Sequence, residues 1–211
     1  MIAIIDYGAG NLQSVVKAFE FIGCQVSIVD DPEMLERAEA AVLPGVGSFG
    51  DAMDCLKKRG FVNPIRRFIE SGKPFLGICL GLQLLFESSE ESPGAQGLGI
   101  LKGKVLRIPD GMGLKIPHIG WNSLDFHGNR CMLFQGLEDH PYVYFVHSYY
   151  LRAEDLSIVS ATADYGVTIH ASIQKGSLFA CQFHPEKSGA AGLQMLRNFA
   201  ALVPGERILQ K

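Results

Sequence analysis

The stretch KPFLGICLGLQLLF, residues 73–86, joins an apolar strand to the start of a helix. Within it, Gly77, Cys79 and Gly81 have the spacing G-x-C-x-G. This spacing is typical of a nucleophile elbow, a sharp strand-to-helix turn whose central residue has a strained backbone conformation. Glycines flank that residue because side chains there would clash with neighbouring elements. The stretch therefore predicts an α/β fold with Cys79 at the turn.

Cys79 is then a candidate nucleophile, because the N-terminus of a helix favours a nearby anion and hence the thiolate. The alternative is a small buried hydrophobic residue in a core turn, which is the usual role of an isolated cysteine. The elbow context favours the nucleophile. The other cysteines lack that context and are assigned to packing or to the surface: Cys24, Cys55, Cys131 and Cys181.

Short apolar runs that could be buried strands lie at residues 2–5, 26–29, 40–43 and 75–78, with helical patterns between several of them. This alternation predicts a parallel sheet. One such helix has its apolar face at Leu12, Val15, Val16 and Phe19.

The later part of the chain gives weaker signals. Residues 90–129 are rich in Gly and Pro and predict loops with short strands, whereas residues 142–151 are aromatic and β-prone. A strand over 178–183 and a closing helix complete the pattern. No linker or repeat interrupts it, so we predict one domain over residues 1–211.

Composition limits the possible functions. Lys and Arg number 19 against 22 Asp and Glu, so neither a nucleic-acid stripe nor a basic membrane segment is indicated. Five widely spaced cysteines without a CxxC pair indicate a reducing compartment. The first residues, MIAIID, lack the segments of a signal peptide. We therefore expect a cytoplasmic protein that binds neither nucleic acid nor membrane.

A candidate base follows the last strand, in the sequence CQFHPEK at residues 181–187. His184 and Glu186 are two residues apart and would project on one side of an extended segment, which Pro185 stiffens. Such a pair suits a general base and the carboxylate that orients it. The alternative is a surface His-Pro-Glu turn. Because no third ligand lies at a supporting spacing, the sequence predicts no metal site.

The sequence LPGVGSFG at residues 43–50 predicts a loop whose backbone can approach a ligand closely. Its N–H groups are candidate oxyanion donors, together with the N–H of Leu80, the residue after the nucleophile. An ordinary strand-to-helix turn is an equally good interpretation. The pair Gly8 and Gly10 lacks the third glycine of a dinucleotide fingerprint, since position 13 is Gln, and no phosphate loop is present, so no cofactor is predicted.

GICLGLQ followed by QFHPEKS resembles the class I glutamine amidotransferases. More narrowly, IDYGAGNLQSV, LPGVGSFG, PHIGWN, YFVHSYY and QFHPEKSGAAGLQMLRNF are similar to the glutamine amidotransferase subunits of imidazole glycerol phosphate synthases. The resemblance covers residues 2–199. It implies a flavodoxin-like fold, with an open, twisted, mainly parallel sheet flanked by helices, and it implies hydrolysis of glutamine.

The resemblance also implies roles for individual residues. Cys79 would form a glutamyl thioester, His184 would be the general acid and base, and Glu186 would orient it. Oxyanion donors are implied at Val46, Gly47 and Leu80. Glutamine is placed against Gln83, His147, Ser148 and Tyr149, and Gln83 follows Cys79 by four residues, on the same helical face.

A partner subunit is implied as well, because the pattern occupies the whole chain and leaves no room for a synthase domain. The resemblance implies a heterodimer with a cyclase barrel that receives the ammonia, with Asn11, Trp121, Tyr144 and Lys187 towards the interface. From the residues alone, Trp121 and Tyr144 would be interpreted as core aromatics.

Three other functions remain open at this point. A related glutaminase could feed a sugar-amidating enzyme, the elbow could persist in a non-catalytic scaffold, or the chain could be an esterase or peptidase.

Overall fold

The computed structural model describes residues 1–8, 10–111, 113–128 and 131–205. Its strands are β1 (Ile2–Ile5), β2 (Val26–Val29), β3 (Ala40–Gly45), β4 (Phe75–Cys79), β5 (Ser88–Ser89), β6 (Gly103–Arg107), β7 (His118–Ser123), β8 (Asp125–Phe126), β9 (Tyr142–His147), β10 (Tyr149–Ala153), β11 (Val159–Asp164), β12 (Thr168–Lys175) and β13 (Leu178–Cys181). Its α-helices are α1 (Leu12–Phe21), α2 (Pro32–Glu36), α3 (Phe49–Lys58), α4 (Val62–Glu70), α5 (Leu80–Leu84) and α6 (Gly189–Ala200).

The main sheet has eight strands in the order β2-β1-β3-β4-β13-β12-β11-β8. The first five run parallel, and β12, β11 and β8 continue the sheet through antiparallel pairs. The predicted α/β class and mainly parallel sheet are therefore confirmed. Two of the predicted strands are longer than their apolar runs, because β3 continues to Gly45 and β4 to Cys79.

Helices cover both faces of this sheet. In β1, Ile2 and Ile4 pack in a cluster with α1 and α6, whereas Ala3 and Ile5 pack in a second cluster with α2, α3, α4 and α5. Because neither face of this strand contacts solvent, both faces carry apolar side chains, which explains the unbroken apolar run IAII. The helical face predicted from residues 12–19 is also observed, with Val15 and Phe19 buried in the first cluster.

Two smaller sheets lie beside the main one. In the first, β6 pairs with β10 and β5, and in the second β7 pairs antiparallel with β9. The loops and short strands expected over 90–129 are observed where the chain is described, residues 112 and 129 lying outside the described residues. Residues 206–211 also lie outside them, and the single domain over 1–211 stays a prediction.

The sheet brings three strand ends together. Gly45 at the end of β3 pairs with Cys79 at the end of β4, and Ile78 pairs with Cys181 at the end of β13. In parallel sheets, ligands bind outside the carboxyl ends of the strands. The loop after β3, the elbow after β4 and the segment after β13 therefore meet on one side of the molecule.

Within the described part of the chain, no helix has both the length and the apolar character needed to cross a membrane.

Candidate active site

Cys79 is the junction between β4 and α5, and its backbone is strained. Its φ is 55° and its ψ is −109°, a combination outside the regions that L-residues normally occupy. A Cβ on Gly81 would lie 1.9 Å from the carbonyl oxygen of Leu43, and one on Gly77 would lie 2.8 Å from that of Gly81. The two glycines therefore have the steric role predicted from the sequence.

His184 and Glu186 form a buried pair. The Nδ1 atom of His184 lies 2.8 Å from Oε1 of Glu186, and the side chains are 4% and 2% exposed. Ser188 holds this segment in place: its hydroxyl donates to the carbonyl of His184 at 2.7 Å and accepts from the N–H of Tyr144 at 3.0 Å. The pair is thus a fixed part of the fold rather than a surface turn.

The electrostatics of His184 favour its protonated form. Burial by itself lowers the pKa of His184, but contact with Cys79 and the hydrogen bond with Glu186 outweigh burial and raise that pKa to about 9. The other ring nitrogen, Nε2, has no hydrogen-bond partner among the described residues. The imidazole can therefore exchange a proton with the neighbouring Cys79 through Nε2 while Nδ1 stays bound to the carboxylate.

A cavity of about 360 Å³ opens above the thiol, a volume within the range of small-ligand sites. It is lined by the loop after β3, the elbow, the end of β9 and the segment after β13. The lining residues are Val46, Gly47, Cys79, Leu80, Gln83, Glu91, Val146, His147, Ser148, Tyr149, His184 and Lys187. The residues predicted to hold glutamine and its oxyanion thus surround one cavity, and Glu186 lies behind His184.

The loop at residues 46–47 approaches the elbow closely. A Cβ on Gly45 would lie 2.8 Å from the hydroxyl of Tyr7 and 2.9 Å from Cβ of Leu80, so only glycine allows this approach. Gly47 has a φ of +92° and open space around it. The loop's position beside the thiol favours the oxyanion interpretation over an ordinary turn.

The residues expected at a partner interface are exposed or half-buried. Trp121 is 54% exposed and packs edge-on against Tyr144 at a centroid distance of 6.2 Å, so it is not a core aromatic. Asn11 is exposed before α1, and Lys187 lines the cavity.

Two buried side chains belong to the site although the sequence did not single them out. The first is Gln182, whose Nε2 lies 3.7 Å from Sγ of Cys79 and which is completely buried. The second is His118, whose Nδ1 lies 3.0 Å from Nε2 of His147. The sequence feature that could have indicated Gln182 is a polar residue at the end of an apolar run, in LFACQF at residues 178–183.

The fold and this cavity define an α/β protein of the nucleophile-elbow type, with a thiol at the elbow. The family model for class-I glutamine amidotransferases matches residues 3–203, and the chain belongs to that family.

Relatives at about half identity carry a more specific description. The chain is 54% identical over 204 residues to the imidazole glycerol phosphate synthase subunit HisH of Syntrophotalea carbinolica, covering 94% of this chain and 98% of the relative. It is 56% identical over 203 residues to the subunit of the same name from Thermosynechococcus vestitus, covering 96% and 97%.

Solved structures share the fold at lower identity. A crystal structure described as glutamine amidotransferase matches with a TM-score of 0.74 and 21% identity over 96% of this chain and 98% of its own. The structure of PurLQS from Thermotoga maritima matches with a TM-score of 0.74 and 22% identity over 94% and 96%.

Proposed function

We propose that this chain hydrolyses glutamine to glutamate and ammonia and passes the ammonia to a cyclase subunit that forms imidazole glycerol phosphate and AICAR in histidine biosynthesis. The observation that carries the proposal is one cavity that combines an elbow thiol with a buried His–Glu pair, in a chain about half identical to HisH subunits over nearly its whole length. The reaction requires neither a metal nor a cofactor.

In the first half of the reaction, the thiolate of Cys79 attacks the side-chain amide carbon of glutamine. The carbonyl oxygen becomes an oxyanion, which N–H groups at Val46, Gly47 and Leu80 would stabilise. Loss of one such donor typically costs about 3–4 kcal/mol of transition-state stabilisation. The C–N bond then breaks as the imidazolium of His184 gives its proton to the leaving nitrogen, which leaves ammonia and a glutamyl thioester.

In the second half, a water molecule attacks the thioester carbon. The neutral imidazole of His184 takes a proton from this water, and the C–S bond breaks to release glutamate and restore the thiolate. Glu186 stays ionised throughout and stabilises the imidazolium that forms in each cycle. The raised pKa of His184 supports this assignment, since the proton is held on the ring until the leaving group needs it.

Glutamine would lie against Gln83, His147, Ser148 and Tyr149. Burial lowers the pKa of His147 to about 3, so its imidazole is neutral at physiological pH. Its Nδ1 lies 2.9 Å from the carbonyl oxygen of Tyr149. His147 therefore stiffens the backbone at 147–149 without adding a positive charge to the cavity.

The ammonia would leave towards a cyclase barrel bound as a heterodimer partner in the cytoplasm. Asn11, Trp121, Tyr144 and Lys187 would face that partner. The exposure of Trp121 supports this placement, because aromatic side chains are enriched in the cores of protein interfaces. We expect the isolated chain to be a poor glutaminase whose activity rises when the liganded partner binds.

The test is glutamate release by the purified chain, alone and mixed with a cyclase subunit and its nucleotide ligand, beside a Cys79→Ala variant. Strong ligand-dependent stimulation that disappears in the variant is the expected result. Cys79-dependent release without any stimulation would overturn the histidine-pathway assignment while keeping the glutaminase. If the Cys79→Ala variant released glutamate as fast as the unmodified chain, both the histidine-pathway assignment and the glutaminase would be overturned.

A further inference from the structure

We propose that Gln182 is a positioning residue for the nucleophile: its side-chain amide donates a hydrogen bond to Sγ of Cys79, and the thiol proton is thereby directed to His184. This inference rests on the proposed function and deepens it. Neither the family pattern nor the spacing of the motifs assigned a role to Gln182.

The geometry places Gln182 directly behind the elbow. It follows β13, its backbone N–H donates to the carbonyl of Ala171 at 2.8 Å, and its side chain is 0% exposed. Its Nε2 lies 3.7 Å from Sγ of Cys79, within the range of hydrogen bonds to sulfur. Its Oε1 accepts from Nε2 of Gln83 at 3.0 Å. Both ends of the buried amide are therefore engaged.

One backbone carbonyl determines which amide atom donates and which accepts in these hydrogen bonds. Nε2 of Gln83 also lies 3.0 Å from the carbonyl oxygen of Tyr149, and a carbonyl oxygen can only accept. The atom of Gln83 that faces it must therefore be the amide nitrogen. The same nitrogen faces Gln182, so the atom of Gln182 at that contact must be its oxygen. The amide nitrogen of Gln182 is consequently the atom that faces Cys79.

The same carbonyl also determines which ring nitrogens of His147 and His118 carry protons. Nδ1 of His147 must carry a proton to reach it at 2.9 Å. Because burial keeps His147 neutral, its Nε2 is then an acceptor, and His118 donates from Nδ1 at 3.0 Å. A run of buried groups from His118 to Cys79 thus has only one consistent arrangement of donors and acceptors.

This arrangement excludes one direction for the thiol proton. A primary amide nitrogen does not accept hydrogen bonds, so the S–H group of Cys79 cannot point at Gln182. Nε2 of His184, which has no partner in the described part of the chain, is an acceptor beside the thiol. Proton transfer breaks S–H, forms N–H and leaves a thiolate that still accepts from Gln182. Hydrogen bonding to the charged form favours that form.

The experiment measures alkylation of Cys79 by iodoacetamide as a function of pH, with the modified cysteine identified by peptide mass spectrometry. Gln182→Met keeps the length of the side chain but removes the donor. We expect the pH of half-maximal alkylation to rise by about one unit, so that at pH values below the wild-type midpoint the rate falls roughly fivefold to tenfold. Ser172→Ala is the matched control, because Ser172 is equally buried in the same sheet and hydrogen-bonds to Ala180.

A second variant keeps the inference testable if Gln182→Met does not fold. Gln83→Leu removes the group that fixes the amide of Gln182, and a smaller shift in the same direction is expected. An unchanged pH profile in every folded variant at positions 182 and 83 would overturn the inference. Alkylation needs neither glutamine nor a partner, so a shifted profile in a chain that releases no glutamate even with the liganded cyclase subunit would support the role of Gln182 while refuting the proposed function.

Discussion

The backbone at Cys79 gives a stability prediction that runs against the usual order of Ala and Gly. Both Cys79→Ala and Cys79→Gly remove the thiol, and they differ only in whether a Cβ remains at the strained position. At most positions Ala is the more stable choice, because Gly loses more conformational entropy on folding. At position 79 we expect Gly to be more stable than Ala.

The magnitude follows from three contributions. A φ of 55° with a ψ of −109° is outside the left-handed helical region as well as the right-handed regions, so the strain lies near the upper end of about 1–3 kcal/mol. Gly relieves it but loses about 0.5–1 kcal/mol in entropy and about 0.8 kcal/mol from the missing buried methyl group. The balance is about 1 kcal/mol in favour of Gly, or roughly 2–4 °C in melting temperature.

The assay is urea unfolding of both variants, with Lys17→Ala and Lys17→Gly as the matched pair. Lys17 is exposed within α1, where Ala should exceed Gly by about 1 kcal/mol. The expected result is opposite order at the two positions. If Ala were favoured at position 79 by the same margin as at position 17, the strain would be absent and the elbow interpretation of the backbone would be wrong.

Three further predictions concern the groups around the thiol. Glu186→Gln should reduce glutamine turnover by roughly 10²- to 10⁴-fold with little change in KM, measured as glutamate release, because His184 loses the carboxylate that holds its proton. Gly192→Ala should reduce turnover and also stability, since its Cβ would lie 1.9 Å from the carbonyl oxygen of Pro185 and displace the histidine segment; urea unfolding and glutamate release measure the two effects. Burial lowers the pKa of His118 from 6.5 to about 4. The unfolded chain therefore binds a proton at His118 at a higher pH than the folded chain, and the folded state loses stability as pH falls from about 6.5 towards 4. His118→Phe should therefore gain about 1–2 kcal/mol relative to the wild type between pH 7 and pH 5 in urea unfolding, and an unchanged difference would contradict the shift.

The sequence predicted the centre of the sheet well and its edge poorly. β1, β3 and β4 are short apolar runs between helices, and that pattern follows directly from burial on both faces, whereas β2 was predicted although it is a partly exposed edge strand. β11 and β12 were not predicted, because VSATAD and TIHASIQK within 159–175 contain small and polar residues instead of an aliphatic run. Their pairing also contains register shifts, which local periodicity does not encode.

Within the candidate site, the features formed by neighbouring residues could be predicted from the sequence, whereas contacts between distant positions could not. The elbow and the His–Glu pair are each contained in a few consecutive residues, so their patterns are readable in sequence. The contact between Gln182 and Cys79 joins positions 103 residues apart, and that between Gln83 and Gln182 joins positions 99 apart. No spacing rule connects such positions, and only the order of β4 and β13 in the sheet brings them together.

The site is assembled from close backbone contacts, and this explains why glycines surround it. Added Cβ atoms at Gly45, Gly77, Gly81 and Gly192 would all lie under 3.0 Å from another heavy atom, and at three of these positions the nearest atom is a backbone carbonyl oxygen. Carbonyl oxygens cannot rotate away as a flexible side chain can. Substitution of these glycines should therefore affect stability and chemistry together, whereas substitution of the side chains that line the cavity should affect chemistry with a smaller loss of stability.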